Sequence, residues 1–189
     1  MPTNAASGRP AMTLHAADTA ADVVAEGVTG RVGIGRHDPA GDALFGDLNW
    51  SGAADTSGFD FGDLVECSNV LLNGGRHYVR GEDGTTITLV AAINAVVDIE
   101  GHNYTVTTLT ARGASAVVTD RRTKAVGNVA TTYQVEDGAS IDMRGLSQSR
   151  NVGTLELTNG SIIKDTSSTW TTLTLKSPVK VTVEPYTPD

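Results

Sequence analysis

The stretch TITLVAAINAVVDI, which begins at Thr86, is the first of five segments that decide the fold. The other four are TLTARGASAVVTD from Thr108, TYQVEDGASIDM from Thr132, TLELTNGSIIKD from Thr154 and TLTLKSPVKVTV from Thr172. Each opens with threonine and an apolar or aromatic residue, and in the last four a polar or glycine turn leads to a second apolar and polar alternation. The segments start 22, 24, 22 and 18 residues apart, which predicts a repeat of about 20 residues.

The turns of these segments also resemble one another. Gly113-Ala114-Ser115 and Gly138-Ala139-Ser140 are the same tripeptide, and we expect them at the same place in the repeat, with Gly160-Ser161 close to it. Twenty of the 25 threonines lie from Thr85 onward. Because threonine is β-branched and fits a pleated surface, this composition favours strands joined by glycine turns.

A drifting period near 20 is typical of a β-solenoid, in which each unit buries its apolar face only by stacking on its neighbours. We therefore predict an all-β fold whose C-terminal half is a short β-solenoid. An antiparallel β-sandwich or barrel, which also has short strands and regular turns, stays open as the alternative. The residues predicted to point inward are apolar members of the repeats: Leu89, Ile93, Val97, Leu109, Val117, Val135, Ile141, Leu155, Leu157, Ile162, Leu173, Leu175 and Val181.

Three regions follow from this pattern: an extended polar arm at 1–12, a cap of irregular strands at 13–84, and the repeat region at 85–189. Within the cap, Thr13 to Gly27 is either a short alanine-rich helix or a strand at TLHA followed by a loop. GRVGIGR and LFGDLNW each predict a short strand. Strand-like runs at 63–72 and 76–80, on either side of Asn73-Gly74-Gly75, predict a β-hairpin.

The charge distribution argues against two classes of partner. Residues 1–84 hold 12 acidic and 5 basic side chains, a net of −7, whereas residues 85–189 hold 10 and 9, a net of −1. Nucleic-acid binding favours a basic stripe, and an anionic membrane surface attracts basic clusters. The first 20 residues lack the apolar core of a secretory signal, and no stretch approaches the ~18 apolar residues of a membrane span. We expect no nucleic-acid partner and no membrane.

Asp60, Asp63 and Glu66 form the densest cluster of carboxylates. Paired carboxylates hydrolyse glycosidic bonds, and a calcium site is also conceivable. The chain lacks a DxDxDG-type loop, however, and a polar strand flank is the simpler interpretation. Whether these three side chains bind a metal is left open. We assign no catalytic, cofactor-binding or metal residue, and we expect a protein that is not an enzyme and has no cofactor.

Other candidate motifs also favour plain structural interpretations. The four histidines have no metal-ligand spacing, and GRVGIGRHD lacks the spacing of a nucleotide-binding loop. Cys67, the single cysteine, is expected to be a small buried apolar residue. Arg121, Arg122 and Lys124 form the one basic cluster, expected either as a solvated turn or as a contact for the acidic half of a neighbouring copy.

The threonine rows permit one further interpretation. The run Thr105, Thr107, Thr108 and Thr110 resembles part of the flat threonine ladder of an ice-binding solenoid. Such a surface, or that of an adhesin, predicts a broad, uncharged threonine face. Tyr133 and Leu155, however, stand in repeats that break the required Thr-x-Thr pattern.

The composition, the order of parts and the repeats from Thr86 to Val183 resemble virion structural proteins of tailed bacteriophages. Capsid cement or decoration proteins and the β-helical parts of tail proteins share a polar arm followed by glycine- and threonine-rich strands. This resemblance implies a structural protein of the virion, assembled in the host cytoplasm without a secretion signal. Its implied partners are major capsid or other virion proteins and further copies of itself, with a trimer as one option. Tail or fibre placement, and a polysaccharide-binding or polysaccharide-cleaving protein, are the alternatives.

Overall fold

The computed structural model contains seventeen β-strands and no helix in the part of the chain that it describes. Neighbouring strands pair in parallel throughout two sheets. Residues whose placement the structure describes are 12–16, 21–36, 43–52, 56–62, 65–81, 83–101, 103–122, 128–144, 151–166, 168–176 and 178–185.

Sheet A has nine strands, which pair in chain order. These strands are short, with three to six residues each. The strands of sheet A are β1 (Met12–Ala16), β3 (Arg31–Arg36), β5 (Gly58–Phe61), β7 (Arg76–Arg80), β9 (Val96–Glu100), β11 (Val117–Asp120), β13 (Ser140–Asp142), β15 (Ser161–Lys164) and β17 (Lys180–Val183).

Sheet B has eight strands, most of them longer than those of sheet A, and they also pair in chain order. The strands of sheet B are β2 (Ala21–Glu26), β4 (Ala43–Ser51), β6 (Val65–Asn73), β8 (Thr86–Ile93), β10 (Thr105–Arg112), β12 (Asn128–Glu136), β14 (Asn151–Thr158) and β16 (Thr169–Lys176).

Consecutive strands belong to opposite sheets, so the chain winds as a β-solenoid. One coil consists of a strand of sheet B and the strand of sheet A that follows it. This confirms the all-β solenoid prediction. The winding also extends further toward the N-terminus than expected, because β1 to β7 continue the same two sheets as the repeats after residue 85.

The predicted hairpin at 63–72 and 76–80 is wrong. β6 and β7 lie in different sheets, and each pairs in parallel with strands of the adjacent coils. Asn73-Gly74-Gly75 therefore forms a corner between sheets instead of a tight reversal. The strand interpretation of TLHA is confirmed by β1, but the loop expected after it is wrong, because Ala21–Glu26 form β2, and the described residues between Thr13 and Gly27 do not form the alternative helix. The predicted strands at GRVGIGR and LFGDLNW are confirmed by β3 and β4.

Pairing across the coils confirms most of the repeat alignment. Thr108, Thr132, Thr154 and Thr172 stand in register on successive strands. The first repeat is displaced by three residues, because Thr108 pairs with Leu89 while Thr86 pairs with Thr105.

The glycine tripeptides are also out of register. Ser140 pairs with Ser161, as the repeat predicts, but on its other side it pairs with Val117 rather than Ser115. Corners of different length cause this, since two residues lie between Gly113 and Ala116 but only one between Asp137 and Ala139.

A small set of residue types follows nearly every strand of sheet B. In seven coils, the amide of the residue after the strand donates a hydrogen bond to the carbonyl of the last residue of the next strand in the sheet. That residue is glycine, asparagine or aspartate in all seven coils, and it has a positive φ in six of them. These residues tolerate the left-handed conformation best. The corner residues are Gly27, Gly52, Gly74, Asn94, Gly113, Asp137 and Asn159, of which Gly52 alone lacks the positive φ.

The core is built of columns, which we define as residues paired in register from strand to strand. In sheet B, one column contains Leu109, Tyr133 and Leu155, all fully buried, and ends at Leu173. The inward prediction is confirmed by burial for seven residues: Val97, Leu109, Val135, Ile141, Leu155, Leu157 and Ile162.

The remaining six residues are not buried, for two reasons. Ile93 and Val117, each 39% exposed, point outward because their neighbours Ala92 and Val118 are the fully buried residues, and Leu89 lies in the outward column of Thr108. The other three belong to core columns but lie on the last coil, where no described strand covers them: Leu173, Leu175 and Val181.

His77 is the polar member of an otherwise apolar column in sheet A, between Phe59 and Val97. It is fully buried, its Nδ1 accepts a hydrogen bond from the Phe59 amide at 3.0 Å, and its Nε2 bonds the Gly74 carbonyl at 2.8 Å. These contacts require the neutral ring with its proton on Nε2. Burial lowers the pKa of His77 to about 4, against the opposing effect of the Gly74 carbonyl and with a small contribution from the charge of Arg31.

Two leucines of one column allow a direct test of the register. Leu157→Ala removes a fully buried side chain, and we expect it to lower the free energy of unfolding by about 3 kcal/mol. Leu175→Ala is the matched control on β16, the last strand of sheet B. It should lower the free energy of unfolding by less than about 1 kcal/mol because Leu175 is 50% exposed. Urea denaturation measures both, and equal losses would contradict the assignment of Leu175 to an uncovered coil.

His77 should make stability depend on pH. The unfolded chain binds a proton with a pKa near 6.5 and the folded chain only near 4, so the stabilisation is present above pH 6.5 and lost as the pH falls toward 4. The shift corresponds to about 3 kcal/mol. Urea denaturation across this range should show a steeper loss for the natural chain than for His77→Gln, which cannot be protonated. Parallel pH profiles would show that His77 is not held neutral.

Candidate interaction surface

The last coil of the solenoid, formed by β16 and β17, presents core residues to solvent. Leu173 is 41% exposed and Leu175 is 50% exposed, although the residues before them in their columns, Leu155 and Leu157, are fully buried. The same change occurs in sheet A. We call this surface the C-terminal end face and define it by six residues: Trp170, Leu173, Leu175, Val179, Val181 and Val183.

Sheet A contributes the valines of the end face. Val181, 39% exposed, follows the fully buried Ile162 in its column, and Val183 is 56% exposed. Their exposure results from position, because the alternation of β17 points Val181 toward the core as it does Ile162. Removing such apolar surface from water is favourable, at about 25 cal/mol per Å².

Part of the end face is covered from within the chain. Trp170 and Val179 are partly buried against the core. The Lys164 ammonium lies 5.0 Å from the centre of the Trp170 ring, which is the geometry of a cation–π contact. The leucines and the other two valines of the end face keep their exposure despite this cover.

The two edges of the end face are available for strand pairing. Within the described ranges, no strand pairs with the outer side of β16 or of β17. Parallel strands leave backbone amides and carbonyls along such an edge, and an open edge is a template for a strand of another chain.

The two ends of the solenoid carry opposite charges. β16 and β17 contain Lys176 and Lys180, both exposed, and no acidic residue. β2, the first strand of sheet B, contains Asp22 and Glu26, both exposed, and no basic residue. Lys176 and Glu26 belong to the same column of sheet B, at opposite ends of it.

The carboxylates singled out in the sequence are not brought together. Asp60 lies on β5 in sheet A, where it pairs with Arg31 at 3.4 Å, whereas Glu66 lies on β6 in sheet B. Asp63 lies outside the described residues. Asp60 and Glu66 therefore belong to different faces of the solenoid and do not form the paired carboxylates of a glycosidase.

Acidic side chains on sheet A are instead paired with arginines across neighbouring strands. Arg76 bonds Asp98 at 3.1 Å and Arg80 bonds Glu100 at 3.0 Å. Each of these ion pairs runs from one strand of sheet A to the next and so connects successive coils. Being partly exposed, each contributes little to stability by itself.

The basic cluster has a different role from either of the predicted ones. Arg122 is fully buried and bonds Asp120, also fully buried, at 2.7 Å. The Tyr133 hydroxyl donates a short hydrogen bond to Asp120, and the Arg122 guanidinium lies 5.3 Å from the centre of the Tyr104 ring. This cluster binds adjacent coils to one another through their interior.

The same arrangement recurs one coil later. Arg144 bonds Asp142 at 2.9 Å, as does Arg121, and Arg144 also bonds Glu184 at 2.7 Å. Burial alone would raise the pKa of Asp142, but the hydrogen bonds from Arg144 and Arg121 outweigh it and lower that pKa to about 2. Arg121 and Arg122 are thus used within the chain, and Lys124 lies outside the described residues.

Cys67 and the remaining histidines add no reactive group to the described surface. Cys67 is buried, as predicted, and burial with the charges of Glu66 and Asp47 raises the pKa of its thiol to about 12. Such a thiol is protonated and unreactive at neutral pH. His37 and His102 lie outside the described residues.

Threonines form one column on the outer face of sheet B, from Thr108 to Thr172. The next outward column contains Thr110, Gln134 and Glu156, which are joined by side-chain hydrogen bonds of 3.1 and 3.2 Å. A broad uncharged threonine face is therefore not formed.

A shallow groove of about 490 Å³ runs along the corners between the sheets. Ser51, Asn73, Asn94 and Ser115 line it together with glycines. Gly75 in its floor has no room for a side chain, since a Cβ atom there would lie 2.9 Å from the buried Trp50 Nε1. The groove is open to solvent.

Two kinds of feature are absent from the part of the chain that the structure describes. In that part, no three side chains of histidine, cysteine, aspartate or glutamate lie close enough together to hold a metal ion. The same part contains no helix long and apolar enough to cross a bilayer.

Sequence reasoning named three residues of the end face, Leu173, Leu175 and Val181, as inward positions but did not predict their exposure. Comparison with known proteins finds no matching family model, no similar curated protein and no similar solved structure.

Proposed function

We propose that this chain is a non-enzymatic structural protein of a phage virion, of the capsid cement or decoration type. The observation that carries the proposal is the C-terminal end face, with its exposed core leucines and valines beside two open strand edges. A surface of this kind is stabilised by covering it, which favours a role in assembly.

The charged side chains support the same role. Arginines pair with acidic residues of neighbouring strands on sheet A, and in the interior Tyr133 of the next coil donates a hydrogen bond to Asp120, the partner of Arg122. In these positions, charged groups connect successive coils. A stack connected in this way suits a component exposed on a particle surface.

The partners follow from the resemblance described above and remain proposals. They are major capsid or other virion proteins, together with further copies of the chain. The predicted arm at 1–12 is described only at Met12, which begins β1. We propose that this arm is buried against other subunits, and the trimer likewise remains a proposal.

Tail or fibre placement is the closest alternative, because an elongated parallel stack with open ends suits a rod as well as a shell. A polysaccharide-binding role has one observation in its favour. The corner groove presents Asn73, Asn94, Ser51 and Ser115, whose amides and hydroxyls are the groups that bind sugar hydroxyls.

Virions made from the genome that encodes this chain provide the test. Particles banded in a density gradient should contain its peptides, measured by quantitative mass spectrometry, in a fixed ratio to the major shell protein. Antibody labelling seen by electron microscopy should place the chain on the capsid. Labelling of the tail would favour the alternative, and absence from purified particles would contradict the virion role.

A further inference from the structure

We propose that the C-terminal end face binds the same face of a second copy of this chain, which gives a closed dimer with two-fold symmetry. The inference rests on the proposed assembly role and names the partner of that surface. It is carried by the backbone groups of the two open edges, the positions of the apolar side chains, and one pair of opposite charges, all within the described strands and the residue that follows β17.

The first observation is which backbone groups the open edge of β16 presents. In a parallel sheet, the amide and carbonyl of one residue point to the same neighbouring strand, and successive residues alternate between the two neighbours. The Lys176 carbonyl accepts a hydrogen bond from the Asn159 amide at 3.1 Å, on the β14 side. The amides and carbonyls of Leu173 and Leu175 therefore face the open edge.

β17 presents its backbone in the same way. The amides of Lys180 and Glu184 donate hydrogen bonds of 3.0 and 2.9 Å to carbonyls on the β15 side. The amides and carbonyls of Val181 and Val183 therefore face the open edge. In both strands, the residues that offer free backbone positions to a partner strand are the exposed apolar residues of the end face.

Antiparallel pairing of each edge with its own copy satisfies these backbone groups. Leu173 then exchanges hydrogen bonds with the second copy's Leu175, and Val181 does so with the second copy's Val183. Residues that stand opposite each other in this way have their side chains on the same face of the sheet. The exposed leucines of one copy thus cover those of the other, and the valines do the same.

One two-fold axis serves both sheets. It passes through Thr174, midway between the leucines, and through Thr182, midway between the valines. Thr174 lies two residues before Lys176, the end of β16, and Thr182 lies two residues after Lys180, the start of β17. Both threonines therefore stand at about the same distance from the corner that joins the two strands. Because the two copies contribute identical surfaces, the interface closes at the dimer.

The second observation is charge. The register that pairs Val181 with the second copy's Val183 also places Lys180 opposite the second copy's Glu184 on the outer face of sheet A, twice in each dimer. Opposite charges that face each other across an antiparallel pair stabilise it. Glu184 also bonds Arg144 at 2.7 Å, and a carboxylate can accept hydrogen bonds from two cations at once.

Two other arrangements of the end face are disfavoured. A different two-fold axis would pair β16 with the second copy's β17, and it would place Lys176 opposite Lys180 at both corners, where like charges repel. In the proposed dimer, the two copies of Lys176 each stand two residues from the axis and lie about 14 Å apart. Head-to-tail stacking of the described strands would offer β1 to β17 but no strand to β16, because the described chain begins in sheet A.

Sedimentation velocity of the purified chain over a range of concentrations tests the proposal. The natural chain should convert from monomer to dimer and form no larger species. Leu175→Asp should leave only monomer, because it would bring two carboxylates into the apolar contact. The series also gives the concentration below which the chain is monomeric, where the stability of Leu175→Ala and distances within one chain are measured without the dimer.

Charge reversal in the same assay tests the register. Lys180→Glu and Glu184→Lys should each weaken dimerisation by about tenfold, because like charges then face each other twice, and the double variant should restore it. Lys176→Glu is the matched control. It makes the same change of net charge on the same face but stands opposite the second copy's Thr172, so it should change the dissociation constant by less than about twofold.

Three results would overturn the proposal: a natural chain that stays monomeric at every concentration, species that extend beyond the dimer, and charge reversals at Lys180 and Glu184 that act no differently from Lys176→Glu. Circular dichroism of each variant establishes that its strands are intact. A monomeric chain that is nevertheless found in purified virions would refute only the pairing. A dimer that is absent from purified virions would refute only the virion role.

Discussion

Parallel pairing between successive coils is the constraint on which the structure depends. A single coil has one strand in each sheet, so it can neither bond its own backbone groups across the sheet nor bury its apolar face. Both needs are met by the coils before and after it. Register follows from the same requirement, since a slip of one residue would move each buried side chain, such as Leu109 or Leu155, to the outer face.

The polar groups of the interior show how far neighbouring coils determine each other's chemistry. His77 is neutral because the amide of Phe59, one coil earlier, donates to it and the surroundings are apolar. Asp120 and Arg122 can both be fully buried because each supplies the other's partner, and Tyr133 of the next coil donates a further hydrogen bond to Asp120. The residues of the C-terminal end face are exposed for the same reason, because they have a coil on one side and none described on the other.

The repeat revealed the fold because, on successive strands of sheet B, a threonine of the outer face is followed by an apolar or aromatic residue of a core column, as at Thr132 and Thr154. Local signals were less informative. Asn73-Gly74-Gly75 satisfies a hairpin and a solenoid corner equally, because both need a positive φ, and only the pairing partners of β6 and β7 distinguish them. Likewise, proximity in sequence suggested that Asp60 and Glu66 could share a site, but a corner separates them and places them on different sheets.

Sheet B forms one continuous stack from β2 to β16, so its two ends lie far apart. Distances between spin labels test this arrangement most directly. Val24, Thr110 and Thr174 share one outward column of sheet B. In a Cys67→Ala background, labels at Val24 and Thr110 should lie about 19 Å apart, and labels at Val24 and Thr174 about 34 Å apart, at ~4.8 Å per strand. A second distance equal to or shorter than the first would contradict the stack and favour a sandwich.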